Sequence, residues 1–278
     1  MTKTIASKAV LNNGIRMPYL GLGTFGSERG GTLPNSIRFA LQCGYRLIDT
    51  AAAYGNERQV GLAIAKSAIP RREIFVTTKV WNDAQGYAAT YAACQSSLAE
   101  LGLESVDLYL IHWPVEKKLT LETWKALIRL RDEGKCRAIG VSNFTIRQIE
   151  HLVAKTSVVP AVNQVEFHPW NFPQGLRDYC REHAIQLESY SPLANAKRLD
   201  DPTIKSIAAG YDKSPAQIML RWALQHDVVV VPKSSHKRRI QENAAVFDFE
   251  ISQADMAALD SLNENFRASW YPANWPAW

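Results

Sequence analysis

Eight short apolar runs, separated by stretches of helical period and spaced near thirty residues apart, constrain this chain more than any other feature. The runs predict strands over Tyr19–Thr24, Arg46–Asp49, Ile74–Lys79, Val106–His112, Ala138–Ser142, Ala161–Glu166, Gln186–Tyr190 and Val228–Val231. The stretches between them predict helices over Leu33–Cys43, Glu57–Lys66, Tyr87–Leu101, Leu121–Glu133, Ile146–Lys155, Gln174–His183 and Pro215–His226, with a further helix at Asp255–Leu262. Strict strand–helix alternation implies a parallel sheet. Eight repeats is the number that closes such a sheet into a barrel. The strands are apolar almost throughout, as in Leu108-Tyr109-Leu110-Ile111, which suits a sheet buried on both faces. Ahead of them, Asn12-Asn13-Gly14 between two extended pieces predicts a β-hairpin. No Gly/Ser-rich linker divides the 278 residues. The expected architecture is α/β, a single (β/α)8 TIM barrel domain over 1–278 with an N-terminal β-hairpin.

Composition narrows the function classes. With 46% hydrophobic and 21% charged residues, the chain has the make-up of an ordinary soluble globular protein. The net charge is +5, and the one dense basic cluster is Lys233, His236, Lys237, Arg238 and Arg239. That is too local for a polyanion-binding stripe, so no nucleic-acid partner is expected. Cys43, Cys94, Cys136 and Cys180 lie far apart, which is neither a disulfide framework nor a CxxC metal pair. No HExxH, zinc-type Cys/His pair or acidic calcium loop occurs, so no metal is expected. The opening MTKTIASKAV is too short and too weakly apolar for a secretory signal, and no apolar run approaches the ~20 residues of a membrane span. The expectation is a cytoplasmic monomer without a membrane partner.

In a barrel of this kind, chemistry sits at the C-terminal ends of the strands. There the sequence places Asp49 and, in the following loop, Tyr54, then Lys79, His112, Ser142-Asn143, Gln164, Tyr190 and Lys233-Ser234. A polar residue at the end of one strand has an ordinary structural reading. An Asp, a Tyr, a Lys and a His at one barrel mouth have a joint chemical one. Carbonyl reduction needs a hydride and a proton for the developing alkoxide. A tyrosine can supply the proton, although its ordinary pKa is about 10. A lysine ammonium about 4 Å away, at an effective dielectric near 20, favours tyrosinate by roughly 4 kcal/mol. At about 1.36 kcal/mol per unit, that lowers the tyrosine pKa by up to ~3 units. A carboxylate from Asp49 would keep Lys79 charged where burial would discharge it. His112 would donate to the substrate oxygen and orient the carbonyl.

Seven motifs in one order carry a family resemblance: Asp49-Thr50-Ala51 through Tyr54-Gly55-Asn56-Glu57, Thr78-Lys79-Val80-Trp81, Leu110-Ile111-His112-Trp113-Pro114, Ile139-Gly140-Val141-Ser142-Asn143-Phe144, Asn163-Gln164-Val165-Glu166, Ser189-Tyr190-Ser191-Pro192-Leu193 and Val231-Pro232-Lys233-Ser234. Together they resemble the aldo-keto reductase superfamily, and among its members the short microbial 2,5-diketo-D-gluconate reductases and related aldehyde reductases. The resemblance implies an NADPH-dependent oxidoreductase acting on a small aldehyde, ketone or keto-sugar acid. It implies a catalytic tetrad of Asp49, Tyr54, Lys79 and His112, with Tyr54 as proton donor. Ser142, Asn143 and Gln164 would bind the nicotinamide carboxamide, and Tyr190 would stack on the ring, with Ser191, Pro192 and Leu193 beside the cofactor. Lys233, Ser234, Ser235, His236 and Arg239 would surround the 2′-phosphate, with Glu242 and Asn243 near the adenine. A cationic loop leading into a helix is also a natural anion site on physical grounds.

Gly21-Leu22-Gly23-Thr24-Phe25-Gly26 fits GxGxxG after a candidate strand, with Asp49 further on. The dinucleotide fingerprint of a doubly wound sheet needs a helix starting within the motif, whereas Ser27-Glu28-Arg29-Gly30-Gly31 reads as loop. In the barrel the same glycines let Gly23, Thr24 and Phe25 pass close to bound cofactor. Phe25, Tyr54, Trp81, His112 and Trp113 are the expected substrate contacts. The tail Trp270 to Trp278 is too rich in Trp and Pro for a solvated terminus, and the resemblance implies that it covers the barrel mouth. Two other functions fit part of the pattern. One is a cofactor-binding regulatory subunit of the same fold acting through a protein partner. The other is a barrel isomerase or hydrolase using Lys79 or His112, which leaves Gln164, Tyr190 and Lys233 without a purpose.

Overall fold

The computed structural model describes residues 3–27, 31–271 and 278. It opens with an antiparallel hairpin of β1 (Lys8–Val10) and β2 (Arg16–Pro18), turned at Gly14, whose φ of +82° suits a residue without Cβ. Eight strands follow: β3 (Gly21–Gly23), β4 (Leu47–Asp49), β5 (Phe75–Val80), β6 (Val106–Ile111), β7 (Cys136–Ser142), β8 (Val162–Glu166), β9 (Gln186–Tyr190) and β10 (Val229–Val230). All pair in parallel with their sequence neighbours, and a bridge from Leu20 to Val230 joins the two edges into a barrel. Closure leaves no free edge, so all eight strands expected from the apolar runs are accounted for.

The helices around the barrel are α1 (Leu33–Gln42), α2 (Glu57–Ala65), α3 (Tyr87–Leu101), α4 (Lys117–Asp132), α5 (Ile146–Thr156) and α6 (Gln174–Glu182), then α7 (Pro202–Gly210), α8 (Pro215–Gln225), α9 (Lys237–Ala244) and α10 (Gln253–Asp260). Local chemistry explains their ends. Thr145 with Gln148, and Ser214 with Gln217, form reciprocal caps that satisfy the first free N–H groups of α5 and α8. Two features depart from the sequence expectation. Helix α4 begins at Lys117 rather than Leu121, because the Glu116 carboxylate accepts from Lys118 N and Leu119 N, both at 3.0 Å. Helix α7 was not expected; Asp201 caps it and Pro202 opens it, a start signal in a segment with little apolar periodicity. No described helix is long and apolar enough to cross a membrane.

Helices α2 and α3 approach closely at Gly61. A Cβ built there would lie 2.0 Å from the Leu101 carbonyl oxygen, well inside contact distance. Backbone at a helix end cannot rotate away as a side chain can. Gly61→Ala should therefore destabilise the protein by about 1–3 kcal/mol through overpacking, despite alanine's better helix propensity. The measure is a lower urea midpoint at unchanged m value; an equal or higher midpoint would show that the contact yields freely.

Candidate active site

Register brings the strand-end residues together. Asp49 closes β4 and pairs with Gly23 on one side and Thr77 on the other, so Lys79 projects from β5 just above it. Tyr54 ends a short 3-10 turn, Ala52–Tyr54, that leaves β4. Gly55 terminates that turn at a φ of +62°. Asn56 then fastens it, accepting from the Thr50 hydroxyl at 2.7 Å and donating to the Thr24 carbonyl at 3.0 Å. His112 follows β6 and extends its ladder, its N–H donating to Val80 O at 3.1 Å.

The four residues of the expected tetrad converge. Lys79 Nζ, with no exposed side-chain surface, donates to Asp49 Oδ1 at 2.6 Å, Thr50 O at 3.0 Å and Tyr54 Oη at 3.4 Å. The Tyr54 and His112 rings meet edge to face at 5.6 Å between centroids. Burial would discharge Lys79, but Asp49 and Tyr54 outweigh it and hold the ammonium above its ordinary range. Burial lowers His112 well below the usual histidine value and nearby Lys79 lowers it further, so the imidazole is neutral at pH 7. For Tyr54 the expected direction is reversed. Burial raises its pKa more than Lys79 lowers it, and Asp49, which neutralises part of the lysine's field, raises it again. The tyrosine therefore keeps its proton at neutral pH, with the Lys79 ammonium 3.4 Å from its hydroxyl.

Ser142, Asn143, Gln164 and Tyr190 form one hydrogen-bonded wall beside the tetrad. The Ser142 hydroxyl donates to Gln164 O at 2.8 Å, Asn143 Nδ2 donates to His112 O at 3.1 Å, and the Tyr190 hydroxyl donates to Asn143 Oδ1 at 2.8 Å. Gln164 Nε2 reaches inward to Asp49 Oδ2 at 2.8 Å and to Glu188 Oε2 at 2.7 Å. Opposite this wall, β3 runs against the segment after β10. Gly23 N donates to Pro232 O at 3.2 Å, and a Cβ on Gly23 would lie 2.7 Å from Val231 O. The buried Thr24 hydroxyl has no hydrogen-bond partner there. Lys233, Ser235, His236 and Arg239 are exposed around the start of α9, and the Ser234 hydroxyl accepts from His236 N at 3.1 Å. Among the described residues no carboxylate pairs with Lys233, Lys237, Arg238 or Arg239, which leaves a group of cations at a helix N-terminus. The unpartnered Thr24 hydroxyl, the tight glycine passage and these cations fit a phosphate-bearing dinucleotide.

Other expected site residues are placed with more specific partners. Glu242 accepts a short hydrogen bond from the Ser214 hydroxyl, so its carboxylate is engaged with the cap of α8, while Asn243 is buried. Ser191 Oγ lies 2.8 Å from Ser269 Oγ, Pro192 is buried and Leu193 half-buried. Phe25 packs on Tyr54 at 5.1 Å and Trp81 on His112 at 4.9 Å between ring centroids. Trp113 is buried and meets Trp270 and Tyr271 edge-on, each at 5.7 Å, so the described start of the tail reaches the mouth. Its other end does too, Trp278 Nε1 donating to Val115 O at 2.7 Å. The tail residues 272–277 lie outside the described residues.

Two acidic residues beside the site were not singled out from sequence. Glu166, at the end of β8, accepts from Ala268 N at 2.6 Å and lies 3.0 Å from His168 Nε2, so the buried histidine is tied to the tail's anchor. Glu188 lies inside the barrel. Its signal was present as a lone acid in the strand Gln186-Leu187-Glu188-Ser189-Tyr190.

Comparison with known proteins agrees with this geometry. The model of the aldo/keto reductase family matches residues 20–264. The uncharacterized oxidoreductase YtbE of Bacillus subtilis is 49% identical over 278 residues, covering 99% of both chains. A glyoxal reductase of the same organism is 48% identical over 98% of each chain. An aldo-keto reductase of Bombyx mori, solved in complex with NADP, superposes with a TM-score of 0.90 at 36% identity over 96% of each chain. The chain belongs to the aldo/keto reductase family, oxidoreductases that act on carbonyl groups.

Proposed function

We propose that this chain reduces the carbonyl of small aldehydes, ketones or keto-sugar acids, with NADPH as hydride donor and Tyr54 as proton donor. The observation that carries the reading is the fully buried Lys79 ammonium, shared between Asp49 at 2.6 Å and the Tyr54 hydroxyl at 3.4 Å. A cation held there favours the tyrosinate that remains after proton transfer, and it needs no reorganisation when that charge develops. Neutral His112, meeting the Tyr54 ring edge to face, offers a donor to the substrate oxygen. Asp49 keeps the lysine charged and in place.

When bound, NADPH supplies the hydride. Ser142, Asn143, Gln164 and Tyr190 would hold its nicotinamide, flanked by Gly23, Thr24, Phe25 and the Ser191-Pro192-Leu193 loop. Lys233, Ser234, Ser235, His236 and Arg239 would bind the 2′-phosphate, with Asn243 near the adenine. The family membership and the NADP complex of the Bombyx mori relative support this cofactor. The aromatic rings of Phe25, Trp81 and Trp113 give the mouth an apolar wall, which suits small or aromatic aldehydes. The kinship with a glyoxal reductase supports small dicarbonyls in the same class.

The basic test is NADPH consumption with methylglyoxal and with a reactive aromatic aldehyde, beside matched NADH samples. Rapid loss of NADPH absorbance and slower loss of NADH are expected; folded protein that consumes neither would overturn the reading. Tyr54→Phe should bind NADPH normally but lose roughly 10²–10⁴-fold in kcat as the general acid is removed. Turnover near that of the unaltered protein would assign the proton to another group. Arg239→Ala should raise the Kd for NADPH far more than that for NADH. Equal losses for the two cofactors would place the phosphate contact elsewhere.

A further inference from the structure

Glu188 is fully buried, on the inner face of β9 beneath the tetrad. The β8–β9 register sets it directly beside Gln164. The two hydrogens of the Gln164 amide serve two carboxyl groups, Asp49 Oδ2 at 2.8 Å and Glu188 Oε2 at 2.7 Å. The other Asp49 oxygen takes Lys79 at 2.6 Å, and Lys79 reaches Tyr54 at 3.4 Å. One continuous path therefore runs Glu188–Gln164–Asp49–Lys79–Tyr54. The second oxygen of Glu188, Oε1, is buried and has no hydrogen-bond partner.

The charges do not balance if every acid is ionised. The groups facing Glu188 are Asp49 from β4, Lys79 from β5 and, through them, Tyr54. On its neighbouring strands stand the neutral Gln164 and the apolar Val229, and α6, packed outside β9, adds no charge to it. Two carboxylates and a single ammonium, all buried, would leave one uncompensated negative charge in the interior, a costly arrangement.

We infer that Glu188 is a positioning residue for the tetrad: as a neutral acid it holds the Gln164 amide against Asp49 and leaves the Asp49–Lys79 pair as the only charges beneath Tyr54. Its ionisation at alkaline pH then works against Lys79 and makes Tyr54 harder to deprotonate. The inference rests on the proposed role of Tyr54. Burial and the Asp49 charge raise the Glu188 carboxyl to about 8, against the opposing pull of Gln164 and Lys79. The group is therefore neutral on the acid side of that value and charged on the alkaline side. An ionised Glu188 in turn raises Tyr54.

Glu188→Gln keeps an acceptor for Gln164 and removes the titration. In alcohol oxidation with NADP+, the tyrosinate accepts the proton, so kcat/KM rises with pH through the ionisation of Tyr54. The variant should shift that rise to lower pH by about one unit, as a negative charge that raises Tyr54 is removed. Superimposable profiles would overturn the inference. Infrared difference spectra of unaltered protein and variant give a second readout that needs no turnover. The protonated-carboxyl stretch of a buried acid should be present on the acid side of about 8, vanish on the alkaline side, and be missing from the variant. A stretch unaffected by Glu188→Gln would equally overturn it. The two readings fail separately: if Tyr54→Phe turned over normally, the proton-donor assignment would fall, while the infrared band would still report the state of Glu188.

Discussion

The site depends on one buried ion pair. Lys79 and Asp49 meet at 2.6 Å in an interior that barrels of this class fill with apolar side chains. Removing either charge from water costs several kcal/mol, which the attraction between them recovers only when the remaining hydrogen bonds are also made. Here they are: Thr50 O and Tyr54 complete the lysine, and Gln164 serves the second oxygen of Asp49. The partners come from β4 and the segment that follows it, from β5 and from β8. The complete set of contacts therefore requires β4, β5 and β8 to be held in one barrel, and the state of Tyr54 is a property of that packed assembly.

Around this pair the mouth divides by chemistry. One wall is a chain of hydrogen bonds through Ser142, Asn143, Gln164 and Tyr190, which fixes polar groups without adding charge. The far rim concentrates cations just before and within the first turn of α9, where the helix N-terminus adds its own positive field. The remaining side is aromatic, with Phe25, Trp81 and Trp113 packed on the tetrad or on the tail. A ligand with an anionic end and a small carbonyl partner match that division.

The tail is fastened through backbone as well as through rings. Glu166 accepts from Ala268 N and Ser269 N, and the Ala268 carbonyl accepts from Asn195 Nδ2 at 3.1 Å and Lys197 Nζ at 2.8 Å. The loop that makes those contacts contains four non-glycine residues in the left-handed region: Ser191, Ala194, Asn195 and Ala196. Such conformations each cost of order 1–3 kcal/mol and persist where the surroundings over-determine them. The segment after β9 and the start of the tail thus hold each other in place.

The period of the apolar runs determined the barrel, and the hairpin before it followed from Asn12-Asn13-Gly14. The strand ends determined which residues would meet, since polar side chains at the ends of buried parallel strands have one common destination. Helix α7 was hidden because its cap, Asp201-Pro202, opens a segment whose apolar pattern is weak. The state of Tyr54 was hidden for a different reason. Sequence shows that a lysine and a tyrosine will be neighbours, whereas burial, which decides the sign of the shift, is set by everything packed around them. The engagement of Glu242 with Ser214, and of Glu166 with the tail, likewise joins segments far apart in the chain. Sequence by itself determined the elements, their order and the chemical identity of the groups at the mouth. Only the tertiary structure decided which of those groups share protons and charges, because electrostatic coupling depends on distance and dielectric, and both are made by packing.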